Sequence, residues 1–284
     1  MLELLGKPFD LGIYQRAFIA CMIIGFANGY LSALVLLHRS PLKLAALSHS
    51  ILPGAALSIL FFGLSGISVY FGAVICAVST GILAIYFAKD TVLSTDTILA
   101  ILYTGFFSVG ILLVNYLEMN QALEHWLLGN ILALSNWDLL TSSVIGFIVV
   151  SMVSIFRRPI LLTLYEPEVA RTLSVPVKIT QYGIFVGMIL VLVTTLQAVG
   201  CVLAIGLIVT PAAVIRTFTN SSGYLFLFSG LLGSFGATTG LILSYHLDMP
   251  AGATIILVFT LIFLTRFIFN YLFNSCYNLK SKFS

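Results

Sequence analysis

Long apolar segments recur along the whole chain and are separated by short polar stretches. A segment of about 20 apolar residues crosses the hydrocarbon core of a bilayer as an α-helix. The pattern predicts an all-α polytopic transmembrane protein with about nine transmembrane helices, eight to ten being possible. The predicted spans are 14–37, 44–62, 67–88, 97–116, 139–156, 180–199, 201–217, 223–244 and 252–272.

Two apolar runs have lengths that do not suit a single crossing. The run from Gly183 to Ile215 is longer than the roughly 20 residues that one span needs, and Gly200 is a natural place for it to fold back. The run from Trp126 to Leu134 is too short to span and is expected to lie at the membrane interface or to dip into the membrane. Gly200 is therefore predicted to break one apolar run into two helices.

Composition agrees with a membrane protein and excludes several other functions. The 284 residues are 60% hydrophobic and 8% charged, with a mean hydropathy of +1.12, whereas a soluble domain has about a quarter of charged residues. No soluble domain fits between the apolar runs, so residues 1–284 are predicted to form a single transmembrane domain in contact with lipid. We predict no enzymatic activity, no bound cofactor and no nucleic-acid partner for this chain.

The basic residues predict an orientation, because short cytoplasmic loops carry an excess of Lys and Arg. With the N-terminus outside and the C-terminus in the cytoplasm, only Lys7 and Arg16 face outwards. The cytoplasmic side then holds all the others: Arg39, Lys43, Lys89, Arg157, Arg158, Arg171, Lys178, Arg216, Arg266, Lys280 and Lys282.

The four cysteines form no CxxC pair. We therefore interpret Cys21, Cys76, Cys201 and Cys276 as packing residues.

The second span contains an ionisable side chain and a proline. His49 lies between Ser48 and Ser50, four residues before Pro53. An ionisable residue at membrane depth is costly and indicates a functional site, and Pro53 has no N–H to bond the His49 carbonyl. We infer a polar translocation path here; the alternative is a neutral histidine bonded to a neighbouring helix.

A second proline interrupts the span at 201–217. The segment Ile208–Ala213, with Pro211, resembles Ile51–Ala56, with Pro53, and the two spans are predicted to run in opposite directions. Paired interrupted spans can mark a transport site between inverted repeats. Close packing of small residues is the alternative.

The longest predicted cytoplasmic loop, 157–178, contains a short helix opened by Glu166, Pro167 and Glu168. Proline suits the first turn of a helix and acidic residues suit its positive end. We expect this helix to dock a soluble partner or to lie on lipid headgroups. Elsewhere, Asp96 is expected to cap the fourth span, with ion handling as the alternative.

Several motifs together resemble the membrane permease of ABC importers for manganese, zinc and iron. They occur in the family's order and cover nearly the whole chain: LSHSILPGAAL (47–57), STDTILAILYTGFFSVGILL (94–113), WLLGNILALSNWDL (126–139), LYEPEVARTLSVP (164–176), VGCVLAIGLIVTPAAVIRT (199–217) and GLILSYHLDMPAGA (240–253).

The resemblance implies a type II ABC importer-like permease in the cytoplasmic (inner) membrane of a bacterium. It implies a homodimer with the path at the subunit interface and an extracytoplasmic metal-binding protein that delivers the ion. It also implies two cytoplasmic ATP-binding ATPase subunits, which would dock on a coupling helix that includes Glu166, Pro167, Glu168, Ala170 and Arg171.

The resemblance also implies a metal-contacting motif in the second span, Gly-Asp-x-x-Ser/Ala-His. Its histidine corresponds to His49, whereas its aspartate corresponds to Ala45. The chain keeps the imidazole and lacks the carboxylate, so it suits Zn²⁺ or Fe²⁺ better than Mn²⁺, which prefers oxygen ligands. The predicted metal ligand is His49, and the predicted translocation path comprises Ala45, Ser48, Pro53 and Pro211.

The leading hypothesis is thus the permease of an ATP-driven importer of divalent metal ions, zinc, manganese or iron. A permease for a metal chelate or small organic solute is the first alternative, since the missing acid would permit it. A self-contained secondary transporter is the second alternative, although such a protein is expected to bury acidic residues within its spans.

Overall fold

The computed structural model describes residues 12–63, 66–89, 91–118 and 131–282, with side chains as far as residue 269. The described residues form the helices α1 (Gly12–Leu37), α2 (Pro41–Phe62), α3 (Gly66–Lys89), α4 (Thr95–Tyr116), α5 (Asn136–Ile155), α6 (Arg157–Tyr165), α7 (Pro167–Thr172), α8 (Val177–Val199), α9 (Cys201–Arg216), α10 (Ser222–Leu247) and α11 (Ala251–Lys282), with a 3₁₀ turn at Ile131–Ala133.

The predicted fold class is confirmed. Within the described residues, eight helices are long and apolar enough to cross a membrane, and α9 is a shorter apolar helix. Each of the nine predicted segments corresponds to one of these helices. Residues 126–130 of the predicted interfacial run lie outside the described residues, and the 3₁₀ turn follows them.

The predicted break at Gly200 is confirmed. Gly200 has a φ of 86° and separates α8 from α9. This left-handed conformation is readily available to glycine and disfavoured for residues that carry a Cβ. The amide of Gly200 still bonds to Leu196 O, and its carbonyl accepts from Ala204 N, so both helix ends remain capped by the backbone.

Helices α1 and α10 pack antiparallel with their backbones in direct contact. A Cβ added at Gly25 would lie 2.7 Å from the carbonyl oxygen of Gly233. Ring contacts between Tyr14 and Tyr245 and between Tyr30 and Phe226 join the same two helices. Small residues at such interfaces let helices approach closely and gain van der Waals contact. This contact matters in a membrane because there is no hydrophobic driving force for helices to associate within lipid.

Helices α2, α3 and α4 form a second closely packed group. Gly54 of α2 faces Gly72 of α3, and a Cβ added at either would collide with the backbone of the other helix. Gly110 of α4 lies against Pro53 of α2, where an added Cβ would be 2.9 Å from the proline Cδ. Pro53 therefore lies within a continuous helix and packs against α4.

Buried polar contacts hold α8 and α9 to α1. The Asn28 amide donates to Thr195 Oγ1 at 2.8 Å and to Ile24 O at 2.9 Å, and both Asn28 and Thr195 are 1% exposed. The Ser32 hydroxyl accepts from the amide of Ala212 at 3.0 Å. Ala212 directly follows Pro211. The Ser32 side chain of α1 therefore accepts a hydrogen bond from an amide next to the proline of α9.

Candidate translocation site

The His49 ring lies between two aromatic rings of α4. Tyr103 stacks on it at a centroid distance of 5.9 Å with an interplanar angle of 30°. Phe107 meets it edge-on at 5.2 Å and 66°. Because α2 and α4 pack closely at Pro53 and Gly110, the imidazole one turn earlier is held against these rings.

The Nδ1 atom of His49 is buried and makes no hydrogen bond within the described part of the chain. A buried polar atom left without a partner costs about 1–3 kcal/mol. Such a cost is tolerated where the atom has a function, and a free imidazole nitrogen is an effective ligand for transition metals.

The His49 side chain lines two cavities. The wider cavity, of about 300 Å³, extends from His49 past Ala45 and Tyr103 to Lys43 and Asp96 near the helix ends. Lys43 Nζ and Asp96 Oδ1 are 3.2 Å apart and both side chains are partly exposed. This cavity therefore joins His49 to the end of the molecule at which α2 begins and α3 ends.

The narrower cavity has a volume of about 20 Å³. His49 shares it with Ser48, Leu196, Phe107 and Cys201. The Ser48 hydroxyl donates to Ala45 O at 2.7 Å and is 3.4 Å from the Cys201 sulfur. A space of this size admits one water-sized group, so a hydrated ion does not fit without a change of shape.

The contact between Ser48 and Cys201 indicates how deep in the membrane the break between α8 and α9 lies. Cys201 is the first residue of α9, and its partner Ser48 lies about 21 Å along the α2 axis from the helix end at Phe62, at a rise of about 1.5 Å per residue. A hydrocarbon core is about 30 Å thick. The break at Gly200 therefore lies well within the depth of α2 and close to His49.

Of the predicted path residues, Ala45 and Ser48 line these cavities with His49. Pro53 and Pro211 are buried, but neither is among the lining residues of the two cavities. Pro53 packs against Gly110 of α4 instead. The amide that follows Pro211, that of Ala212, bonds to Ser32 of α1.

Asp96 does not have the predicted capping role. The N-cap of α4 is Ser94, whose hydroxyl accepts from the amide of Thr97 at 3.1 Å. Asp96 lies in the first turn, where a negative charge suits the positive end of the helix, and pairs with Lys43. The cap prediction is wrong because a serine two residues earlier already occupies the capping position.

The predicted cytoplasmic loop contains two helices, α6 and α7. Pro167 is the first residue of α7, as predicted, and Glu166 precedes it without making a side-chain cap. Glu168 and Arg171 form an exposed ion pair at 2.7 Å. Ala170 is fully buried and anchors α7 to the rest of the molecule, so the charged face of this short helix projects outwards.

Sequence reasoning missed three groups at the site. Tyr103 and Phe107 hold the His49 ring, and Cys201 lines the narrower cavity. Aromatic residues four positions apart on α4 were an available signal, since they share a helix face. The described residues contain no group of three or more His, Cys, Asp or Glu side chains that could hold a metal ion.

Residues 10–270 match the family model described as the ABC 3 transport family. The chain belongs to the ABC 3 transport family. This membership decides against a self-contained secondary transporter, because the family is that of the membrane permeases of ABC transporters, whose ATPase is separate.

Relatives in this family carry names that refer to metal transport. The manganese import system permease protein ScaB of Streptococcus gordonii is 32% identical over 262 residues, which are 92% of this chain and 93% of the relative. A probable iron transport system membrane protein of Haemophilus influenzae is 29% identical over 259 residues, 91% of this chain and 94% of the relative.

A solved structure has the same fold. PsaBC from Streptococcus pneumoniae, in complex with Fab, superposes with a TM-score of 0.85 at 28% sequence identity and covers 94% of this chain and 95% of the solved chain. The family, the multi-pass helical architecture and the ABC importer permease role are thus consistent with one another.

Proposed function

We propose that this chain is the permease of an importer for divalent transition-metal ions and that His49 contacts the ion. The observation that carries the proposal is the unpartnered, buried Nδ1 of His49 between two cavities in a member of the ABC 3 transport family. The names of the manganese and iron relatives support the class of cargo.

The path runs past Ser48 in the narrower cavity and Ala45 in the wider one, while Pro53 and Pro211 shape the helices behind it. We further propose that the N-terminus lies outside and the C-terminus in the cytoplasm, as the distribution of basic residues predicts. The wider cavity then opens towards the cytoplasm and the narrower one separates His49 from the outside. This arrangement corresponds to a permease that is closed between the ion and the outside and open between the ion and the cytoplasm.

A second copy of the chain would complete the ion's surroundings. Within the described ranges, one protomer has no cluster of three or more His, Cys, Asp or Glu side chains that could hold a metal ion, and a transport site has to bind weakly enough to release its ion. We propose a homodimer in which residues 1–284 of each copy form one permease domain. Two cytoplasmic ATPase subunits would dock on α7 and the residue before it through Glu166, Pro167, Glu168 and Arg171, and an extracytoplasmic metal-binding protein would deliver the ion. The predicted contact through Ala170 is not proposed again, because Ala170 is fully buried against the permease itself.

Uptake of several mass-tagged divalent metals by cells with the full importer tests this function. We expect His49→Ala to abolish uptake while the protein still inserts into the membrane at wild-type amounts. His246→Ala is the matched control, because His246 is exposed and bonds to Ile242 O at 2.8 Å, within its own helix. Undiminished uptake by His49→Ala would remove His49 from the path, and no metal uptake by the wild type would favour a chelate or organic cargo.

A further inference from the structure

A cysteine and a histidine share the narrower cavity although they lie far apart in the sequence. Cys201 is 3% exposed and begins α9, while His49 lies in the middle of α2. Both line the same space of about 20 Å³. The cavity holds one water-sized group, so a group inside it is close to the sulfur and to the imidazole together.

Hydrogen bonding directs the thiol proton of Cys201 towards Ser48. The Ser48 hydroxyl has one hydrogen and donates it to Ala45 O at 2.7 Å. The contact of 3.4 Å between Ser48 Oγ and Cys201 Sγ is therefore one in which the S–H donates to the hydroxyl oxygen. The sulfur lone pairs remain available to a ligand in the cavity.

We propose that Cys201 is a second ligand of the transported ion and selects thiophilic divalent metals, Zn²⁺ and Fe²⁺, over Mn²⁺. Ala45 contributes no side-chain oxygen to the path, whereas the thiol contributes a soft donor beside the imidazole. Thiolate and imidazole suit zinc and iron, while manganese prefers carboxylate, carbonyl and water. Metal binding displaces the thiol proton, which leaves to water, because the thiolate is the form that ligates.

This inference rests on the proposed metal-import function, and it concerns the choice of metal. The test is uptake of Zn²⁺, Mn²⁺ and the thiophilic probe Cd²⁺, each alone, by the complete importer reconstituted with its ATPase subunits. We expect Cys201→Ser to lower the ratio of zinc to manganese uptake, and of cadmium to manganese uptake, by about tenfold or more, as loss of a metal-site interaction typically does.

Cys21→Ala is the matched control, since Cys21 is equally buried but lines neither cavity at His49. A second readout does not depend on transport: the ultraviolet charge-transfer band of a cadmium–thiolate bond in the purified importer. This band should be present in the wild type and in Cys21→Ala and be lost in Cys201→Ala.

Unchanged metal ratios in Cys201→Ser, together with an unchanged cadmium band in Cys201→Ala, would overturn the proposal while leaving the import function intact. A wild type that takes up none of the three metals would instead refute the proposed function. The cadmium band would then decide alone whether Cys201 binds metal.

Discussion

The buried pair Asn28–Thr195 gives the sharpest stability prediction. The Asn28 amide donates to Thr195 Oγ1 at 2.8 Å, and the Thr195 hydroxyl is 3.2 Å from Asn28 Oδ1. Thr195→Val keeps the shape of the side chain, so it creates no cavity. The substitution leaves Asn28 Oδ1 without the Thr195 hydroxyl as a donor, while Asn28 Nδ2 keeps its bond to Ile24 O.

The expected cost follows from burial and from the membrane setting. An unpaired buried polar group costs about 1–3 kcal/mol, whereas hydrogen bonds between transmembrane helices average about 0.6 kcal/mol and reach about 1.7. We therefore expect Thr195→Val to lower the free energy of unfolding by about 1–2 kcal/mol. At about 2–4 °C per kcal/mol for a chain of this size, the Tm falls by about 2–8 °C.

The assay is thermal unfolding of the purified protein in one detergent, followed by intrinsic fluorescence. The double variant Asn28→Leu/Thr195→Val is the control, because removing both partners and keeping their shapes costs less than removing one. A Tm for Thr195→Val equal to that of the wild type, or a double variant less stable than Thr195→Val, would refute this reasoning.

Three further predictions concern the partner surface, the cargo and pH. Glu166→Lys with Glu168→Lys should abolish capture of the ATPase in a pull-down without reducing membrane insertion, because both side chains are exposed; undiminished capture would contradict the docking role. Ala45→Asp adds a carboxylate to the wider cavity and should raise manganese uptake relative to zinc, and an unchanged ratio would show that residue 45 does not contact the ion. Burial and the nearby Lys43 lower the pKa of His38 in the folded protein. The contribution of His38 to stability is therefore present above the unfolded pKa of about 6.5, and it is lost as the pH falls from there through the lower folded pKa. His38→Gln should lose less Tm on acidification than the wild type, and equal losses would rule out this role.

Local signals predicted much of the fold. An apolar run too long for one span required a break, and Gly200 with its positive φ provides it. Pro167 opens α7 because proline is tolerated in the first helical turn. These features depend on a few neighbouring residues, and such features can be predicted from the sequence alone.

The site itself depends on contacts between distant parts of the chain. Ser48 and Cys201 are 153 positions apart, and no local pattern in either segment predicts that they meet. Cys201 was interpreted as a packing residue because the sequence contains no CxxC pair. Asn28 was available as a signal, since a lone amide in an apolar span requires a partner, but the sequence could not identify Thr195 as that partner.

The glycine contacts determine where the molecule can deform. The α1–α10 contact at Gly25 and Gly233 and the α2–α3 contact at Gly54 and Gly72 join backbones directly, with no flexible side chain between them to absorb sliding. Each pair is therefore expected to move as a stiff body. The contact between α2 and the α8–α9 break instead involves two side chains, Ser48 and Cys201, beside the small cavity at His49, and we expect it to deform more readily. If the chain has the proposed function, a movement driven by the ATPase would change the shape of the cavity at His49. Opening of the path and weakening of ion binding would then occur in the same step.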